Sequence, residues 1–278
     1  MYILLALATG VLWGTWQFGT GRYGRSMSVF SVILVSGSAA TAVYLFLGVI
    51  THHISFDDID VVAGLVGGAL GLVGTVLILI ALSKGKMGVT TGVSQAYVLI
   101  PLAYSVFLGE KITALAIVGV VVVLTGLVLF VVLHDKPGGV EGGALVAIGL
   151  AAVSALFWGL SIVVLDVGSA NNIYGTLALS EVPQIVAGLV AALVVRSFGG
   201  LTKHEVAPLA GAGVALALGY VAFYTAAAEG DIGVISVLAA LSPVVTALLA
   251  RIFLKEKMNR PEMIALGVII VGAAMVVA

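Results

Sequence analysis

The sequence predicts an all-α integral membrane protein of ten transmembrane helices, laid out as two inverted five-helix repeats. Three observations carry that expectation. Of 278 residues, 62% are hydrophobic and 9% charged, whereas a soluble domain carries roughly 25% charged residues. So few charges cannot cover a water-facing surface, and lipid must be the solvent. Ten segments are apolar over about the 20 residues a helix needs to cross a bilayer. Finally, the first five segments are echoed by the second five. Residues 5–18 (LALATGVLWGTWQF) match 150–163 (LAAVSALFWGLSIV), with Trp13-Gly14 and Trp158-Gly159 145 residues apart. Residues 81–89 (ALSKGKMGV) match 226–234 (AAAEGDIGV) at the same offset, and Gly109-Glu110-Lys111 matches Lys255-Glu256-Lys257 at 146. An odd number of spans per copy makes the second copy enter the membrane from the opposite side, an arrangement found in secondary transporters.

The spans fall near 2–20, 28–50, 60–83, 87–108 and 112–133, then 143–167, 172–196, 205–228, 232–254 and 259–278. The first is read as a retained span: no Lys or Arg precedes it, and no small-residue cleavage site follows its end. In the third, Gly64 with Gly68 and Gly67 with Gly71 form small-xxx-small pairs, which let helix backbones approach closely. A linker at 134–142 around Pro137 divides the first repeat, 1–133, from the second, 143–278. Eleven of the 12 Lys and Arg lie in or beside the loops after odd-numbered spans, while Lys111 lies on the other side with Asp57, Asp58 and Asp60. The positive-inside rule then places those loops in the cytoplasm and both termini outside.

Net charge is -1 and no basic tract is present, so nucleic acid is not an expected partner. Cys is absent, which excludes disulfides and thiolate chemistry, and the four His all fall in predicted loops. Residues 84–87 fail the phosphate-loop pattern, no HExxH occurs, and no serine turn has an embedded His to serve it. An enzyme is therefore not expected, and neither a cofactor nor a metal is required.

Glu181 is the one ionisable residue well inside a span, about nine residues from its start and so roughly 14 Å deep. A charge there costs roughly 2.5–3.5 kcal/mol on insertion scales, which makes it a candidate for proton coupling or for pairing with a cationic substrate. Pro183 follows and Gln184 shares its helix face at i+3. The plain alternative is a protonated Glu hydrogen-bonded within the bundle. Trp13 and Gln17 are i, i+4 in the first span, with Trp16 beside them; Trp158 and Ser161 mirror them in the sixth. Tyr220 and Tyr224 are i, i+4 in the eighth span, and Gln95 and Tyr97 lie inside the fourth. Amides and hydroxyls in lipid need partners, and aromatic faces can hold a cation or an apolar body, so these residues are candidates for a substrate cavity. The competing reading for tryptophan and tyrosine is the interfacial belt, which is preferred for Tyr2, Tyr23, Tyr44 and Tyr174. Glu110 and Glu256, each flanked by Lys, read as structural acids capping or pairing helix ends.

These stretches resemble the drug/metabolite transporter superfamily, EamA-type branch. The resemblance rests on LWG at 12–14, ALSKGKMGV at 81–89, VFLGEKIT and VGVVVVLTGLVL within 106–129, and LSPVVTALLARIFLKEKMNRPEMIALGVIIVGAAMVV at 241–277. Pro243, thirteen residues before Glu256, is its most specific element; the first repeat offers Tyr97 at the matching place. The resemblance implies ten helices, a central cavity and ATP-independent movement of small metabolites, with termini in the cytoplasm, against the Lys/Arg count. The expected protein is a multi-pass transporter of the cell membrane, working by alternating access on a small-molecule substrate. Membrane lipid is its other partner, and no oligomer is required. Spans 1, 3, 4, 6, 8 and 9, with Glu181 from the seventh, should enclose the cavity. An uncoupled facilitator for a sugar or amino acid is the alternative. A membrane scaffold or receptor is the alternative from another class, disfavoured because a scaffold needs no duplicated pair of halves around a pocket.

Overall fold

A computed structural model describes the chain except for residues 24–26, 86, 110–112, 135–141, 198–199, 256–259 and 278. Glu110, Lys111 and Glu256 lie outside the described residues. Helices account for nearly everything described: α1 (Tyr2–Tyr23), α2 (Val29–Ile50), α3 (Asp58–Lys84), α4 (Met87–Ser94), α5 (Leu99–Phe107), α6 (Ala114–His134) and α7 (Gly142–Ser169). They continue as α8 (Ile173–Ser180), α9 (Val182–Val195), α10 (Lys203–Ala227), α11 (Ile232–Ala239), α12 (Ser242–Phe253) and α13 (Arg260–Val277). No strand occurs among the described residues. Seven stretches among them are long and apolar enough to cross a membrane, α8–α9 and α11–α12 each counting as one. Their outer faces carry exposed Val11, Phe46, Val62, Val194 and Ile252. Lipid is the environment in which such faces need no further cover, and the protein is an integral, multi-pass membrane protein.

Helix ends fall within three residues of the expected spans, but three spans are not single helices. A short 3-10 turn at Gln95–Val98 separates α4 from α5, Glu181 separates α8 from α9, and Ala240-Leu241 separates α11 from α12. Each break is followed within the first turn of the next helix by a proline: Pro101, Pro183 and Pro243. Proline offers no N–H to the carbonyl one turn back, yet is tolerated where a helix starts. The sequence therefore restarts these helices instead of bending them.

The packing is interleaved. Helix α1 lies against α10, α11 and α12, whereas α7 lies against α3, α4 and α5. Helices α6 and α13 pair with each other, and α2 with α8, α9 and α10. Capping boxes start α3 (Asp57 with Asp60) and α10 (Thr202 with Glu205), satisfying first-turn N–H groups that lipid could not. Asp60, at the start of the third expected span, does not face solvent. It is fully buried, accepting from Asn171 Nδ2 at 2.9 Å, Ser55 Oγ at 3.0 Å and the Asp57 amide at 3.1 Å. It thereby ties the start of α3 to the α7–α8 turn. His134 and His204 stand inside the ends of α6 and α10, not in loops.

Candidate functional site

Where α1, α3, α7, α10 and the α8–α9 junction converge, a central cavity of about 40 Å³ remains. That volume holds a few water molecules. Nine of the expected cavity residues meet there: Trp13, Trp16, Gln17, Tyr97, Trp158, Ser161, Glu181, Gln184 and Tyr220. Two do not. Gln95 is fully buried and turns its amide back onto the Thr91 carbonyl of α4 at 3.0 Å. Tyr224 donates to the Ile162 carbonyl at 3.1 Å and stacks behind Tyr220, ring centroids 6.2 Å apart. It supports the wall without forming it. The ninth expected span, α11–α12, does not line the cavity either; Thr246 on α12 reaches Gln17 Oε1 at 3.2 Å from behind α1.

The aromatic wall is continuous. Trp13 packs edge-on to Tyr220 (5.0 Å) and Tyr97 (6.2 Å) and stacks on Phe223 (5.4 Å), and Trp16 leans on Trp158 (5.9 Å). Its indole nitrogens are not equivalent. Trp158 Nε1 donates to Thr75 Oγ1 at 3.3 Å, whereas Nε1 of Trp13 and of Trp16 are buried with no hydrogen-bond partner. The glycine-lined face of α3 borders the cavity at Gly68 and Gly71, packed close on Ser180 and Ser161, and Ser161 Oγ is engaged with the Gly67 carbonyl at 2.7 Å.

Glu181 is 1% exposed. It closes α8 and opens α9, so its carboxylate sits at the positive end of the α9 dipole. Oε2 accepts from Gln184 Nε2 at 2.8 Å and lies over the backbone of Gly37 on α2, where a Cβ would come within 2.9 Å. Tyr220 lines the same cavity. Lys and Arg among the described residues stand at helix ends or in loops, so no basic side chain answers Glu181. A buried carboxylate in this setting needs a proton or a cation from outside.

Sequence reasoning missed Thr75 and Tyr44. Thr75 follows Gly71 by one turn on the same face, and that spacing was the available signal. Tyr44, assigned to the interfacial belt, is fully buried, its hydroxyl without a hydrogen-bond partner. Seven residues from Gly37, it faces the interior two turns along the same stripe.

A lipid-embedded helical protein whose central cavity gathers a buried acid, amides and aromatic faces has the makings of a membrane transporter. The EamA-like transporter family model matches residues 1–132 and 145–278, and the chain belongs to that family. An uncharacterized transporter of Clostridium kluyveri is 27% identical over 294 residues, covering 98% of this chain and 91% of that protein. A crystal structure of a protein with 19% identity superposes with a TM-score of 0.80, covering 99% of this chain and 95% of the other; it shares the fold. The protein is a transporter of small molecules.

Proposed function

We propose that this transporter is a secondary active carrier of the cell membrane that works by alternating access, with Glu181 as the group that couples transport to protons. Two inverted five-helix repeats, 1–133 and 143–278, rock about the central cavity. The duplicated contacts support the repeats. Thr9 Oγ1 reaches the Gly219 carbonyl at 3.2 Å, and Ser154 Oγ reaches the Gly74 carbonyl at 2.8 Å, each partner displaced by 145. Gly14 meets the Ser242 carbonyl and Val245 as Gly159 meets the Tyr97 carbonyl and Ile100. That register sets Val98, not Tyr97, opposite Pro243. The matched capping boxes at Asp57–Asp60 and Thr202–Glu205 keep the same offset. Broken helices at mid-membrane beside a cavity are where transporters bind their substrates.

The observation that carries the coupling role is Glu181 itself: buried, at a helix break, on the cavity wall, with no basic partner. Glu181→Gln keeps size and hydrogen bonding while removing titration. In proteoliposomes it should abolish accumulation driven by a pH gradient and leave substrate-for-substrate exchange intact. Gradient-driven flux equal to wild type would remove Glu181 from the mechanism, and wild-type flux indifferent to the gradient would mark a facilitator. For orientation, the Lys/Arg bias places both termini outside. A single cysteine at position 55 should react with an impermeant thiol reagent added to intact cells, and one at position 85 should not. The reverse pattern puts the termini inside.

A further inference from the structure

One mouth of the cavity is strapped shut. Helices α3, α7 and α8 wall the cavity at Gly68, Leu165 and Ser180. Toward the face where α1 begins, Asp60 stands about 12 Å beyond Gly68, Asn171 about 9 Å beyond Leu165, and Thr176 about 6 Å beyond Ser180, at 1.5 Å per residue. There the α2–α3 connection, residues 51–57, is laced across all three helices. Asn172 Nδ2 donates to the His53 carbonyl at 3.0 Å, and the Ser55 carbonyl sits on Gly175 with no room for a Cβ between them. Ser55 Oγ, the Asp57 amide and Asn171 Nδ2 all donate to the Asp60 carboxylate, at 3.0, 3.1 and 2.9 Å. Asn171 is exposed and Asp60 is fully buried, so the lacing runs from the surface inward.

The opposite face has no equal. The register of 145 carries the strap onto residues 196–202, Asp60 onto Glu205, Ser55 onto Gly200 and Asn171 onto Ser26. Glu205 is held by the amide and hydroxyl of Thr202, at 2.9 and 2.8 Å, and among the described residues it takes no donor from another helix. Gly200 has no hydroxyl to give. A second tie repeats the imbalance. Ser105 Oγ on α5 donates to Asp231 Oδ1 at the start of α11 at 2.9 Å, on the strapped face, and the counterpart of Ser105 is Ala250, which has no polar side-chain atom. Two halves that rock must break the ties of each face in turn, so the face with more ties is harder to open. We infer that residues 51–57, locked by Asp60 and Asn171, are the gate of the face where α1 begins, and that the conformer sealed there is the transporter's resting state. The inference rests on the alternating access proposed above. A solute opens this gate only by binding better to the conformer in which it is open.

The natural chain holds no cysteine, so one introduced thiol reports alone. Ser180→Cys is nearly isosteric and puts that thiol on the cavity wall beneath the strap. An impermeant maleimide is offered to intact cells and, separately, to inverted vesicles; the single cysteine at position 55 tells which preparation presents the strapped face. Position 180 should label more slowly from that face than from the other. Asn171→Ala or Asp60→Asn should speed labelling from the strapped face by about tenfold, as expected for one lost hydrogen bond to a charged group, without speeding it from the other. Glu205→Gln should leave it unchanged. Asp60→Asn combined with Asn171→Asp exchanges acid and amide across the same gap and should slow labelling again, which general loosening of the loop would not do. Melting temperature shows which variants fold, and Asn171→Ala, in an exposed turn, carries the test if Asp60→Asn does not. The inference is overturned if folded strap variants label from that face as slowly as the parent, or if the parent labels faster there than from the other. Its failure is separable from that of alternating access. Label reaching position 180 from both faces, with no response to the strap variants, leaves alternation standing without the gate. Label reaching it from one face only, until a strap variant opens the second, leaves a seal without alternation.

Discussion

Trp13 and Trp158 occupy the same place in two different surroundings. Each presses its Cδ1 edge against a glycine of a partner helix, Gly219 and Gly74 respectively, at a distance that leaves no room for a Cβ. One residue further along those partner helices the likeness ends. Thr75 gives the Trp158 indole an acceptor, and Tyr220 gives Trp13 a ring. A second contrast is sharper. Glu181 on one side faces Gly37 on the other, a carboxylate at a broken helix over a glycine in an unbroken one. The backbone contacts are shared between the two halves; the groups with charge and free donors are not. Under the mechanism proposed above, the recurring contacts serve the motion and these few differences serve the chemistry.

Adding one methyl group is the strongest way to test the second contrast. Gly37→Ala places a Cβ 2.9 Å from Glu181 Oε2. Displacing the carboxylate should cut transport by roughly tenfold while the melting temperature stays near wild type. Normal flux in this variant would mean that the position of the acid is not critical. Next come the two glycines beneath the tryptophans. Gly74→Ala and Gly219→Ala bring a Cβ to 2.5 Å and 2.6 Å from the indole Cδ1. Each should destabilise by about 1–3 kcal/mol. Gly74→Ala should cost more, because Trp158 cannot yield without leaving Thr75. Equal losses in thermal unfolding would show that the Thr75 bond does not pin the ring. The smallest effect belongs to Thr75→Val, which removes that bond at nearly constant volume and should cost about 1 kcal/mol. It makes the Trp158 indole as free as that of Trp13, so the two sites should become more alike in emission. An unaltered spectrum would argue that the asymmetry lies elsewhere.

Much of this was legible in the sequence, for physical reasons. Span positions follow from hydropathy because a lipid slab imposes a fixed length on every helix, and ends from Tyr2 to Val277 came out within three residues. Nine cavity residues followed from polarity and aromatic content at mid-span. Pro183 pointed to an interruption beside Glu181, and the helix breaks there; the breaks at 95–98 and 240–241 were not read, because one interrupted turn hardly changes mean hydropathy, although Pro101 and Pro243 marked them. Asp60 looked like a loop acid because its partner Asn171 lies 111 residues away. Long-range pairing leaves no trace in local composition. Tyr44 was misassigned for a similar reason: a tyrosine near a span end suits the headgroups until the neighbouring helix covers it.

The interleaving of α1 with α10 has a consequence for how the protein is made. The hydroxyl of Thr9 and its acceptor, the Gly219 carbonyl, are separated by 210 residues of chain. At ribosomal speeds of about 5–20 residues per second, α1 resides in the bilayer for roughly 10–40 s before its seat is synthesised. During that interval Trp13, Gln17 and the glycine face of α1 are presented to lipid or to the insertion machinery. The first half therefore cannot finish folding when its own last residue emerges. A ribosome stalled before residue 219 would release a helix without its main partner, a substrate for membrane quality control.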